Sequence, residues 1–90
     1  MSESQPDLEQ VAEDFRRLKV PDLLAGTCSM LGSLAYGKLS GEGLDLEQAR
    51  LAIDALKAIG PLLPDDARRD VQQLTANLQL AYADAASAAG

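Results

Sequence analysis

Histidine and tryptophan are absent from this 90-residue chain, and its cysteine content is a single residue, Cys28. One cysteine closes no intramolecular disulfide. Without histidine, a structural zinc site lacks its usual ligands and a nucleophile its usual base. Aromatic side chains are down to Phe15, Tyr36 and Tyr82. Eight basic residues face fourteen acidic ones, leaving a net charge of −6. That balance argues against direct nucleic-acid contact, because phosphate-tracking surfaces concentrate Lys and Arg. The basic pairs Arg16-Arg17 and Arg68-Arg69 stand among acids and build no patch.

Long hydrophobic runs are missing too. The longest uncharged stretch is residues 23–37, shorter than the ~20 residues that cross a bilayer. No membrane insertion is expected. The chain's start shows no charged segment followed by an apolar one, so no signal peptide is expected either. The chain reads as cytoplasmic, with Cys28 reduced.

What is present is alanine and leucine. Fifteen alanines and sixteen leucines supply most of the 47% apolar fraction, which favours helix over strand. Residues 1–7 are polar and expected to be disordered. From Asp7 to Val20 a weak helical pattern places Leu8, Val11, Phe15 and Leu18 three and four residues apart. Its acids precede its bases, the order that a helix dipole favours. Residues 1–20 therefore read as a flexible or weakly helical segment, and residues 21–90 as the helical domain.

Pro21 suits the start of a helix running to about Leu39. The glycines of LSGEG break it. Asp45, three residues before Gln48, is a capping-box arrangement that opens a helix with Leu46, Ala49, Ile53, Leu56 and Ile59 on one face. Its opposite face carries Glu47, Arg50, Asp54 and Lys57 with alternating sign, a solvated stripe. Gly60-Pro61 ends that helix. Pro64 and Asp65 open the last one, which runs to about Ala88 on Val71, Leu74, Leu78, Ala81 and Ala85. The fold class is all-α: a small antiparallel bundle of three helices, or four with the N-terminal segment, expected to be completed by dimerisation. About seventy residues bury little surface, and with disulfide and zinc excluded, self-association remains to make up the deficit.

No catalytic, cofactor or metal site is expected. Cys28 has no histidine partner and no Lys or Arg within a helical turn, so it reads as a small buried hydrophobe. The carboxylates cluster at helix starts, where negative charge is stabilising. No enzyme activity, cofactor or small-molecule substrate is implied.

The helix at 21–39 is apolar on nearly every side. Leu23, Thr27, Met30 and Leu34 form one row, and Leu24, Cys28, Leu31 and Ala35 the next. Ala25, Ser29, Ser33 and Gly37 form a third in which every member is small, a groove that admits another backbone. Glycine inside a helix costs about 1 kcal/mol, so Gly26 and Gly32 suggest close contacts. On the last helix, Leu80 lies among polar residues. The candidate interface is Ala25, Ser29, Met30, Ser33, Leu34, Tyr36 and Gly37 with Leu80 and Tyr82, facing a second copy of the chain.

From about Leu34 onward the chain resembles a small bacterial family, domain of unknown function 1844. The resemblance rests on SLAYGKL (33–39), a glycine loop, DLEQARLAIDALKAI (45–59) and LTANLQLAY (74–82). Its pattern falls on Asp45, Leu46, Ala49, Ile53, Asp54, Leu56, Leu78 and Tyr82, while the family's charged N-terminal extension is mostly missing. The resemblance implies a small, all-helical, cytoplasmic bacterial protein with no assigned activity. It also implies an alternative to self-association: an accessory factor bound to the translation machinery through protein contacts, since related genes lie near those of ribosomal proteins.

Overall fold

A computed structural model of the chain describes residues 7–89. Four α-helices and no strand are found among them: α1 (Leu8–Arg17), α2 (Val20–Lys38), α3 (Leu46–Ile59) and α4 (Asp65–Ala89). Short 3-10 turns at Gly41–Gly43 and Gly60–Leu62 connect the last three. The chain is all-α, as its composition implies. The disorder expected over residues 1–7 falls, Asp7 apart, outside the described residues.

Each start and stop has a local cause. The Asp7 carboxylate accepts from the Glu9 backbone N–H at 3.0 Å, capping α1. Asp45 does the same for α3, accepting from Gln48 N–H at 3.1 Å. The capping box is only half made: the Asp45 N–H donates to the Lys38 carbonyl at 2.8 Å rather than to the Gln48 side chain. That bond ties the end of α2 to the start of α3. Between them the chain turns through Gly41 at φ +62, the only positive φ among the described residues, a conformation glycine adopts without strain. Pro61 lies in the turn after α3 and cannot extend it.

Helices α2, α3 and α4 pack together, and the short connections make sequential helices antiparallel. Their core is small and aliphatic: Cys28 and Ala35 from α2, Ala52, Ile53 and Leu56 from α3, Leu63 from the connection, and Val71 and Leu78 from α4. Leu24, Leu31, Ile59, Leu74 and Tyr82 close around it. The expected core rows of α3 and α4 are the ones found, and the charge stripe of α3 faces water. Leu63, which no periodicity marks, is 3% exposed because the turn before it carries it inward. Thr75, the one buried polar side chain among the described residues, donates its hydroxyl to the Val71 carbonyl at 2.7 Å.

Helix α1 stands apart. None of its residues is buried, and none belongs to the hydrophobic core. Leu18 (φ −63, ψ 136) and Lys19 (φ −90, ψ 138) are both extended, so the link into α2 carries α1 away from the bundle. The molecule spans 57 × 34 × 15 Å with a radius of gyration of 17.0 Å, against about 12 Å for a compact domain of this length. The 8–17 segment is thus a formed helix.

The two glycines singled out in α2 differ. A Cβ on Gly32 would lie 2.7 Å from Leu74 Cδ2 and 3.4 Å from its Cγ. One on Gly26 would meet nothing within 4 Å, so no contact within the described chain requires glycine there. Gly26→Ala is expected to raise stability by about 0.5–1 kcal/mol through helix propensity alone. Gly32→Leu is expected to lower it by about 1–3 kcal/mol by overpacking against Leu74. Asp45→Ala is expected to lower it by about 1 kcal/mol through loss of the cap. Chemical denaturation with unchanged m-values checks all three.

Candidate interaction surface

A helix advances about 100° per residue, so the buried positions of α2 fix where every other side chain points. Cys28, Gly32 and Ala35 define the inward direction. Leu74 against Gly32 sets α4 on one edge of that face. Leu24 and Leu31, at the other edge, are half-buried and pack against the core on the α3 side. Beyond them in the same sense comes the row Leu23, Thr27, Met30 and Leu34. Met30 is 74% exposed and Leu34 53%.

On α3 the order is reversed, because it runs antiparallel to α2. An open cleft lined by Arg50, Ile53, Asp54, Lys57, Gln79 and Tyr82 marks the α4 edge. Ala52 and Ile59 turn toward α2. Past them lie Ala55 and Leu51, the latter 63% exposed. The two rows therefore emerge together. Leu23, Met30, Leu34 and Leu51 fall on the side of the α2–α3 pair opposite α4, an apolar stretch with Glu47 and Asp54 flanking Leu51.

The second exposed apolar surface is α1 itself. Leu8, Val11 and Phe15 share one side of it, continued by Leu18, and all four are exposed, Leu8 at 80%. The polar side is held by local pairs: Glu13 lies 3.8 Å from Arg16 and 3.9 Å from Arg17, and Gln10 donates to Asp14 at 2.9 Å. Such exposed pairs contribute a few tenths of a kcal/mol each. They support the helix and leave its apolar side bare.

The interface residues read from the sequence do not form one surface. Met30 and Leu34 lie together on the open face. Gly37, seven residues on from Met30, shares its stripe, whereas Ser29, Ser33 and Tyr36 are exposed farther around α2, away from α3. Ala25 is half-buried and packs on the core. Tyr82 also packs on the core, between α3 and α4. Leu80 is 68% exposed on the outer side of α4, about half a turn from Tyr82 around the helix. Leu80 and Tyr82 thus belong to opposite faces, because two residues along a helix turn the side chain by about 200°. What sequence reasoning missed is Leu51, whose neighbours Glu47, Arg50 and Asp54 gave its helix a polar outer face. The signal was there in Leu51, Ala55 and Ala58, an apolar edge beside the charges.

Two other features carry chemistry in principle. Cys28 is 1% exposed, and burial raises the pKa of its thiol above the ordinary value. The thiolate is disfavoured, the reverse of an activated nucleophile. A cleft of about 290 Å³ between α3 and α4 is lined by Leu56, Gly60, Val71 and Thr75, with Lys57 its one charged residue. The Thr75 hydroxyl in it is already bonded to Val71. Among the described residues no group of three acids or cysteines is placed to hold a metal ion, and no helix is long and apolar enough to cross a membrane. No family model, curated protein or solved structure matches the chain.

Cys28 yields a prediction with a definite sign. Its folded pKa is raised, so the protonated thiol adds stability that is whole below the ordinary thiol pKa. That contribution falls as pH rises above about 8.5 and through the folded value. A thiol-reactive dye at pH 8 should label Cys28 only at the rate of opening, and completely in denaturant. Instant labelling of the folded protein would contradict its burial.

Proposed function

We propose that the protein is a non-catalytic helical module of the bacterial cytoplasm whose role is protein association, first of all with a second copy of itself. The observation that carries this reading is the pair of bare apolar surfaces, on α1 and across α2–α3, in a chain too small to leave so much unburied. A bundle of about seventy residues is marginal when alone. Burying a half-exposed leucine or phenylalanine contributes on the order of 1 kcal/mol. Eight such residues therefore represent a large reserve next to the 5–15 kcal/mol that holds a domain folded.

The chemistry of the chain supports association rather than turnover. It offers no histidine as a base, and its one thiol is buried. The net charge of −6 disfavours a nucleic-acid partner and leaves a protein surface as the natural one. The sequence resemblance to domain of unknown function 1844 underlies the bacterial assignment.

Light scattering on the full chain at micromolar concentration should return twice the monomer mass of 9.5 kDa. The melting temperature should rise with protein concentration, as mass action requires of a dimer. A monomer whose melting is independent of concentration would sink the reading.

A further inference from the structure

From the two bare surfaces we infer that α1 of one copy lies on the α2–α3 face of the other, and the reverse, so that the dimer exchanges its N-terminal helices. This rests on the self-association proposed above and names its contact. The two surfaces match in kind and in size. Both are mainly apolar, with Asp14 beside Val11, Phe15 and Leu18 on the arm and Glu47 and Asp54 flanking Leu51 on the face. The ten residues of α1 span about 15 Å. Leu23 to Leu34 along α2 covers about 16 Å.

The occupant is a second copy rather than the same chain's own α1. Leu18 and Lys19 are extended, and no residue of α1 is buried or belongs to the core. A tight reversal between helices usually ends the first one with a left-handed residue, most often glycine. Residues 17–20 read Arg-Leu-Lys-Val, with Pro21 following, and none of them has positive φ. An arm held away from its own bundle is free to reach the same face on a partner, which a two-fold pair satisfies twice.

The area is sufficient. The contributors are Leu8, Val11, Phe15 and Leu18 on the arm and Leu23, Met30, Leu34 and Leu51 on the face. At about 60 Å² of apolar area each, the low end for a side chain leaving water, they hide on the order of 1,000 Å² across two copies. That lies close to the ~1,000 Å² a specific interface must clear, before any contribution from the polar rim.

Two full-length variants test the exchange by sedimentation equilibrium. Phe15→Asp puts a charge on the arm, and Met30→Glu puts one on the face. Both positions are exposed, at 64% and 74%, so each monomer should keep the helical signal and cooperative melt of the folded bundle. Each variant alone should dimerise at least tenfold more weakly than the unmodified chain. A 1:1 mixture should dimerise more tightly than either, because the intact arm of the Met30→Glu chain can dock on the intact face of the Phe15→Asp chain. If the unmodified chain is a monomer, self-association and exchange fail together. If it is a dimer that Phe15→Asp leaves at full strength, self-association stands and the exchange is overturned. Full-strength dimerisation of Met30→Glu, or a mixture no tighter than its components, overturns the exchange as well.

Discussion

Leu74 occupies the space that a side chain at position 32 would fill, and the layout of the bundle follows from that contact. With its δ-carbons against the bare backbone of Gly32, α4 approaches α2 on one edge only. The third helix then sits in the remaining angle, with Leu56 and Leu78 fully enclosed among the three. Each of the three helices meets the other two, and among the described residues no fourth helix covers the flank of α2–α3 away from α4. In a four-helix bundle α1 would lie there. Here the extended pair Leu18 and Lys19 sends it elsewhere.

The parts of the fold that were legible in the sequence are those where polarity contrasts. In α3, charges at Glu47, Arg50, Asp54 and Lys57 leave no doubt which side is wet, and Ile53 and Leu56 are buried as that contrast requires. Asp45 announces its helix because an unpaired N–H needs an acceptor whatever the fold. Gly60-Pro61 ends it for equally local reasons. Helix α2 gives no such contrast. It is apolar nearly all round, so periodicity cannot tell Cys28, which is enclosed, from Met30, which is open. Only the positions of α3 and α4 decide between them. The same holds for Gly26 and Gly32, alike in sequence and opposite in surroundings.

The candidate surface was legible in part for the same reason. Met30 and Leu34 belong to it, and both stood out as large apolar residues on a helix with more apolar surface than its neighbours can cover. The row Ala25, Ser29, Ser33 and Gly37 looked like a groove for another backbone, yet the backbone-to-side-chain approach inside the chain uses Gly32 instead. Small side chains permit close packing at many positions, and which one is used depends on where a large partner such as Leu74 happens to be placed. Leu80 misled through its chain neighbourhood. Two residues from Tyr82 along the sequence, it lies across the helix from it in space.

The two-residue link between α1 and α2 also separates two energies that most small domains combine. Because α1 lends nothing to the core, changes on its surface and changes around Leu56 fall at sites with no shared neighbours, where effects on folding add independently. Selection acting on the arm could therefore change its surface while the folded body stays as stable as before. In that sense the limb and the trunk can drift at different speeds.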